Sequence, residues 1–214
     1  GMNGSVMLAE LVCARLTHDL SGPLATISGA VELLSLDDEE SRQEAMQLAG
    51  EATAQLAHRL KYLRAAWGAG GQELTVAAIA AMAAGVLGGG RVVLDVARVA
   101  GADRPLGVLG RVLLNALMVA AEALPRGGTI VCAGDPEAQL VLQPVGEGAA
   151  WPRGLAGLIG GDDPLAAAEE AGPRGIATPL MIALARRDGV AVSLLMGAGL
   201  PLLSLSPERR TAPG

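Results

Sequence analysis

A histidine followed by an aspartate is the pair of residues in this chain best suited to chemistry. His18 and Asp19 lie within the sequence LTHDLSGPL, and the chain contains only two histidines. A neutral imidazole is a nucleophile near pH 7, and an adjacent carboxylate could orient the ring or accept its proton. The pair therefore predicts nucleophilic chemistry at His18, although a surface histidine beside a charged neighbour is the plainer alternative. The other histidine, His58, has no motif around it and is interpreted as a surface residue.

Helical spacing predicts that the His18 side chain points away from the buried side of its helix. Apolar residues recur every three or four positions, the pattern of a buried helical stripe, at Leu16, Leu20, Leu24, Ile27, Val31 and Leu34. His18 lies two residues from both Leu16 and Leu20, which is about 200° away around the helix. Its own face contains mostly small residues, and these let the backbone of another protein approach closely. The candidate docking residues on this face are Arg15, Gly22, Ala25, Gly29 and Glu32.

These docking residues also have plainer interpretations. Arg15 and Glu32 could be ordinary solvated charges on the helix surface. The small residues Gly22, Ala25 and Gly29 could instead serve helix packing inside a bundle. The spacing alone leaves both interpretations open.

Length and composition restrict the fold class and the partners. A chain of 214 residues can form one large or two small domains. The formal charge of −6, without a basic stripe, argues against nucleic acid as a partner. Two uncharged stretches, 74–90 and 189–206, are too rich in Ala and Gly or too interrupted to predict a membrane span. Cys13 and Cys132 lack metal-type spacing and are expected to be reduced core thiols in a cytoplasmic protein.

The first 70 residues predict a long helical hairpin. The first helix is expected at about 5–36, kinked by Pro23, and the second at about 39–67. The second helix contains a heptad stripe at Met46, Ala49, Thr53, Leu56, Leu60, Leu63 and Trp67. Two helices alone cannot enclose a core, so we expect two copies to form a four-helix bundle as a homodimer. Packing of the hairpin on the rest of its own chain is the alternative.

Residues 71–208 predict an α/β sandwich, which makes the chain α+β, and residues 209–214 are expected to form a tail. Helices are expected at about 76–87, 106–124 and 176–187, and strands at about 91–96, 129–133, 139–143, 190–196 and 200–206. The stretch 146–172 is expected to be irregular, with short helical pieces near Leu155 and Leu165.

The hairpin and the sandwich together resemble the core of sensor histidine kinases. In that family a dimerising hairpin contains the phosphoacceptor histidine in a motif like His-Asp/Glu-Leu-x-x-Pro-Leu, and residues 18–24 match this motif position for position. Residues 113–116 resemble the asparagine motif of the family's ATP-binding domain. The resemblance implies that His18 accepts phosphate and that Asn115 is the remnant of a residue that helps to hold magnesium and phosphates.

The nucleotide motifs of that family are missing from this chain. An active kinase has an Asp-x-Gly-x-Gly loop whose aspartate recognises adenine, but Pro144 and Val145 stand where an acid would be expected. A flexible lid and a second glycine-rich loop should precede the last helix. The segment 169–176 is short and lacks Gly-x-Gly-Leu-Gly, a loop that binds phosphates through backbone amides. We therefore expect this chain to bind no cofactor and no metal.

A narrower resemblance is to the histidine phosphotransferases of alphaproteobacterial phosphorelays, based on residues 120–128 and on the His18 hairpin. Members of this family resemble histidine kinases that have lost nucleotide binding. They take phosphate from the receiver-domain aspartate of a hybrid kinase and pass it to response regulators, and the receiver supplies magnesium. The resemblance implies a transferase with phosphohistidine at His18, with Asp19 orienting the ring or accepting its proton and Arg15 steadying phosphate charge or a receiver acid. An ATP-dependent sensor kinase core and a non-catalytic dimeric interaction module are the alternatives.

Overall fold

The computed structural model describes residues 2–35, 38–69 and 73–208. We call residues 2–69 the hairpin and residues 73–208 the α/β half. The helices are α1 (Met2–Leu33), α2 (Glu39–Trp67), α3 (Val76–Ala83), α4 (Leu109–Glu122), α5 (Leu155–Gly160), α6 (Pro164–Ala171) and α7 (Ala177–Asp188). The strands are β1 (Val92–Val99), β2 (Gly128–Asp135), β3 (Gln139–Val145), β4 (Val190–Leu195) and β5 (Leu202–Pro207). The chain is α+β, as the sequence predicts.

The two hairpin helices lie close to their predicted bounds. α1 continues through Pro23, and the predicted end of this helix at Leu36 lies outside the described residues. Asp38 caps α2, because its carboxylate accepts a hydrogen bond from the backbone N–H of Ser41. Two acids in the first turn, Glu39 and Glu40, interact favourably with the positive end of the helix dipole and stabilise the start of the helix. Local sequence signals therefore fix where the second helix begins.

The apolar stripes predicted for the hairpin are only partly buried within one chain. Ala30 of α1 and Ala45 and Ala52 of α2 are buried, because these small residues let the two helices approach closely. Leu24, Val31 and Leu34, which were expected to be buried, are exposed, and so are Met46 and Leu60. The physical reason is that one neighbouring helix covers only a narrow strip of another.

Five of the exposed large apolar side chains of the hairpin lie together on one side, whereas Leu33 and Leu48, three residues after the contact residues, turn toward the other side. Val31 follows the contact residue Ala30, and Met46 follows the contact residue Ala45. In an antiparallel pair of right-handed helices, positions one residue after the contact line turn toward the same side in both helices. We call this surface the apolar face; its most exposed members are Leu24, Val31, Leu34, Met46 and Leu60.

The α/β half is built on a five-stranded sheet with the order β1-β2-β3-β5-β4. The β1–β2 pair is parallel and the other three pairs are antiparallel. All five predicted strands are present. The helix expected at 76–87 ends earlier, at Ala83, and a 3₁₀ turn follows at Leu87–Gly90. This turn depends on glycine, because Gly88 and Gly89 both have positive φ angles.

The hairpin and the α/β half share one hydrophobic core. Tyr62 of α2 is buried, and its hydroxyl donates a hydrogen bond of 2.6 Å to the carbonyl of Leu114 in α4. Ala66 belongs to the same buried cluster as α4. At the other side, Gly4 of α1 packs so closely against Leu165 of α6 that a Cβ there would lie 2.8 Å from a leucine methyl. These contacts hold the histidine helix against the rest of the chain.

The two cysteines differ in their surroundings. Cys132 in β2 is buried, and this burial raises the pKa of its thiol to about 12. Cys13 is exposed on α1, so the expectation of a core thiol is wrong at this position. It follows the half-buried Val12, and one residue turns the helix about 100° away from the covered side. None of the helices in the described ranges is long and apolar enough to span a membrane.

Candidate functional site

His18 and Asp19 are neighbours in sequence but lie in opposite environments. The His18 side chain is 70% exposed, whereas that of Asp19 is 9% exposed. The Nδ1 atom of His18 lies 3.5 Å from Oδ1 of Asp19. The imidazole therefore projects into solvent, as helical spacing predicts, with one ring nitrogen facing a buried carboxylate.

Two arginines hold the Asp19 carboxylate from different helices. Its Oδ2 atom accepts a hydrogen bond of 3.0 Å from Nε of Arg15 and forms an ion pair of 2.9 Å with Nη2 of Arg59 on α2. Burial alone would raise the pKa of Asp19, but the charges and hydrogen bonds of Arg15 and Arg59 hold that pKa below its ordinary value. Asp19 therefore stays ionised near neutral pH. Of its two predicted roles, this geometry favours orienting the ring over accepting its proton.

Arg15 is half-buried at the edge of the His18 surface, and protein partners occupy its guanidinium. Its side chain is 15% exposed. Nη1 donates a 2.6 Å hydrogen bond to the carbonyl of Arg174, and both terminal nitrogens lie 3.4 Å from Oε1 of Glu122. The guanidinium thus ties α1 to two distant parts of the α/β half. The sequence suggested that Arg15 is a free surface cation. The structure instead shows a residue that positions the Asp19 carboxylate.

Glu122 is a member of this site that the sequence analysis missed. It ends α4 and is the only acid in that helix. Burial raises the pKa of Glu122 while the charge of Arg15 opposes that rise. The helix dipole disfavours a lone acid at the C-terminus of an apolar helix. The position of Glu122 was therefore the signal in the sequence that this residue needs a cationic partner.

The rest of the predicted docking residues lie on an open surface. Gly22, Ala25, Gly29 and Glu32 are all exposed. A Cβ placed on Gly22 or Gly29 would meet no atom of the described chain within 4 Å. Packing within the described part of the chain therefore does not explain these two glycines. His58, on α2, is also exposed.

A groove separates the His18 surface from the α/β half. Its volume is about 700 Å³, and its lining residues are Ala14, Arg15, His18, Asp19, Glu122, Ala171, Pro173 and Arg174. One wall is the histidine helix, and the other is the end of α6 with the 3₁₀ turn that follows it. The short segment 169–176, which stands where a kinase would have its lid and second glycine-rich loop, thus packs beside the histidine.

Asn115 is buried and its amide is used within the protein. Its Oδ1 accepts a 2.8 Å hydrogen bond from Nε1 of Trp67. Its Nδ2 donates to the carbonyls of Arg111, at 2.9 Å, and Ala66, at 3.3 Å. Asn115 therefore joins α4 to the end of α2, and both kinds of polar group in its side chain have protein partners.

The glycines near residue 146 are explained by close backbone packing. A Cβ on Gly146 would lie 2.6 Å from the carbonyl oxygen of Gly127, and one on Gly128 would lie 2.3 Å from that of Val145. Pro144 is buried in β3 opposite Ile130. The backbone of β2 and β3 thus occupies the space beside these glycines. Within the described ranges, no group of three or more His, Cys, Asp or Glu side chains could hold a metal ion.

Comparisons with known proteins agree with this architecture. The family model described as the histidine phosphotransferase C-terminal domain matches residues 76–198, more than half of the chain. A solved structure described as a bacterial phosphotransferase is 23% identical, with a TM-score of 0.73 over 93% of this chain and 95% of the other. That likeness shows a shared fold, and it extends over the hairpin that the family model does not reach. No curated protein matches the sequence.

The structural role of Asn115 can be tested by its removal. We expect Asn115→Ala to lower the free energy of unfolding by about 2–4 kcal/mol, because Trp67 and two carbonyls lose a buried partner and a cavity forms. The matched control is Thr178→Val. Thr178 is also buried, but its hydroxyl has no hydrogen-bond partner within the described residues, so this variant should be equally or more stable. Urea unfolding measures both; equal losses would contradict the assigned role.

The charge of Asp19 predicts a pH-dependent contribution to stability. Near pH 7, Asp19→Asn should lower the free energy of unfolding by about 1–3 kcal/mol, because Arg15 and Arg59 lose the charge between them. A carboxyl whose pKa is lowered by folding stabilises the protein above its unfolded pKa, here 3.8, and loses that contribution as pH falls through the folded value. The gap between wild type and variant should therefore shrink from pH 7 to pH 3 in urea unfolding. A constant gap would refute the electrostatic assignment.

Proposed function

The chain belongs to the histidine phosphotransferase family, and from the setting of His18 we propose that it relays a phosphoryl group between receiver-domain aspartates through this residue. Family membership gives the chain a role in phosphotransfer signalling. The finer proposal is that a hybrid kinase receiver is the donor and a response regulator receiver the acceptor, with the exchange in the cytoplasm. The observation that supports it most is an exposed imidazole beside a buried, ionised carboxylate.

The contact between His18 and Asp19 suggests which ring nitrogen reacts. A proton on Nδ1 is favoured next to Oδ1 of Asp19, 3.5 Å away, and this leaves the lone pair on Nε2 free. Nε2 attacks the phosphorus, the N–P bond forms, and the P–O bond to the receiver aspartate breaks with its electrons staying on the carboxylate. The phosphorylated ring keeps its Nδ1 proton, and Asp19 offsets the resulting positive charge. Transfer to the second receiver is the reverse of this step.

The contribution of this chain is mainly to position the histidine. Transfer of a phosphoryl group requires donor and acceptor atoms in line, and catalysis depends on placement and charge. Magnesium held by the receiver would neutralise charge on the phosphoryl oxygens. The open surface at Gly22 and Gly29 lets the receiver backbone approach, and the groove wall at Pro173 and Arg174 offers a second contact beside His18.

A phosphorylated protein fits this chain better than ATP as the phosphate source. The amide of Asn115 is occupied by Trp67 and two carbonyls. The residues where an adenine-binding acid is expected are Pro144 and Val145. Both points weaken the kinase alternative, because they remove the groups that would hold a nucleotide.

The relay can be tested with a receiver domain labelled on its aspartate with ³²P. We expect label to move from the receiver to the wild-type protein, and incubation with radiolabelled ATP and magnesium alone to give none. His18→Ala should abolish labelling, because it removes the nucleophile. His58→Ala is the matched control, since it removes the other exposed histidine, and it should transfer normally.

Each alternative outcome has a distinct meaning. Transfer that survives in His18→Ala would overturn the assignment of this residue. Label from ATP alone, located on His18, would favour the sensor kinase core. Receiver binding that is indifferent to His18→Ala, without transfer, would favour the interaction module.

We also propose that two copies of the chain associate through the apolar face. Five large apolar side chains on one side of two long helices are exposed in the single chain, at Leu24, Val31, Leu34, Met46 and Leu60. Burying such a stripe against its own copy would complete a four-helix bundle core. His18 lies one residue before the contact residue Asp19, which turns it toward the opposite side of α1, so both histidines of the dimer would stay accessible.

A charge on the apolar face should break the dimer. Val31 is 55% exposed and Val93 on β1 is 62% exposed, so the two valines are matched in exposure but not in location. We expect Val31→Glu to be monomeric, because it would bury a charge in the bundle core, and Val93→Glu to stay dimeric. Light scattering after size-exclusion chromatography measures the mass. A monomeric wild type or a dimeric Val31→Glu would refute this interface.

A further inference from the structure

A second, smaller cavity lies where the hairpin meets the α/β half. Its volume is about 310 Å³, and three arginines line it: Arg15, Arg59 and Arg91. The rest of the lining is mostly apolar and includes Leu63, Met118 and Leu124. We call it the arginine cavity. It shares Arg15 and Glu122 with the His18 groove, but His18 does not line it.

The arginine cavity contains more positive charge than its acids balance. Arg15 and Arg59 share Asp19, and Arg15 also meets Glu122. Arg91 donates to the carbonyls of Gly88, at 3.0 Å, and Pro125, at 3.4 Å, and forms no ion pair with an acid of the described chain. Three cations therefore have two carboxylates as partners, and only one of these, Glu122, lines the cavity.

One of these arginines also has an unused donor. The Nε of Arg59 is buried and has no hydrogen-bond partner within the described ranges. Buried polar groups in native proteins normally have a partner, and a donor on a charged group is especially unfavourable when left alone. Because Arg59 lines the arginine cavity, an acceptor bound there is a candidate partner for this donor.

We propose that the arginine cavity binds a small organic anion with an apolar body and a phosphate or carboxylate head. Guanidinium groups bind both heads in a planar, bidentate geometry, and Arg59 and Arg91 have donors to spare. The apolar walls suit a compact hydrocarbon body, and the volume lies at the lower end for ligand pockets. The ligand class follows from this pairing of cations with apolar side chains.

An anion in the arginine cavity would also reach the histidine site. Arg59 contacts both the cavity and Oδ2 of Asp19, and Oδ1 of Asp19 lies 3.5 Å from His18. An anion bound to the free donors of Arg59 shares the guanidinium charge with Asp19 and so weakens the attraction between Arg59 and that carboxylate. Occupancy of the cavity is therefore coupled to the carboxylate that orients His18.

Three probes test separately how much the charged head and the apolar body of the ligand contribute to binding. Calorimetric titration of the full chain with phenyl phosphate should show saturable binding to one site per chain. Inorganic phosphate, which has only the head, and benzyl alcohol, which has only the apolar body, should each bind at least tenfold more weakly. Absence of saturable phenyl phosphate binding would overturn the proposal, as would equal binding of inorganic phosphate.

Substitutions of single arginines test where the probe binds, and the measurements do not require phosphotransfer. Arg91→Gln should weaken phenyl phosphate binding at least tenfold; Arg91 is exposed and outside the Asp19 network, so the fold should persist. Arg59→Gln should weaken it similarly, and Arg42→Gln at the far end of the hairpin should not. Backbone amide signals of His18 and Asp19 in NMR spectra should shift on binding. Unchanged affinity in Arg91→Gln would overturn the site, and unshifted signals would overturn its coupling to His18.

Discussion

One buried carboxylate, that of Asp19, fixes the arrangement of three parts of the molecule around His18. Arg15 and Arg59 meet on this carboxylate from the two helices of the hairpin. Arg15 extends further, to Glu122 and to the carbonyl of Arg174 in the α/β half. Breaking a buried pair by removing one partner leaves uncompensated charge, which is far more unfavourable than losing a surface pair. The helix under His18 is thereby held in place while the imidazole itself stays in solvent.

The sequence predicted those features of the site that depend on local helical geometry. The exposure of His18 follows from its position two residues from Leu16 and Leu20, and the structure agrees. The burial of Arg15 could not be predicted in this way, because Glu122 and Arg174 lie more than 100 residues further along the chain. Spacing along one helix gives the direction of a side chain but not the distant segment that will cover it.

The same limit explains the hairpin stripes and Cys13. The stripes were predicted as buried, but within one chain the contact line runs through small residues beside them, because the number of neighbouring helices decides which apolar positions are covered. Within one chain, Ala45 and Ala52 lie on the contact line while Met46 and Leu60 face outward. The strands and most helices of the α/β half were predicted correctly, because alternation and capping signals are local. Missing nucleotide motifs were visible in the sequence, but the close packing of Gly128 against Val145 that fills this region was not.

An exposed nucleophile next to a fixed charge is suited to a macromolecular donor. Phosphoryl transfer benefits from a site that excludes water and holds charge in place, yet the His18 ring is largely in solvent and its groove is open. The excluded environment must then come from the partner that docks on the histidine surface. What this chain can provide in advance is rigidity, through the Asp19 network, and a flat approach beside Gly22 and Gly29. Under the proposed relay, residues around the groove would contact the partner, whereas Arg15 and Arg59 hold Asp19, and with it the helix beneath the ring, in place.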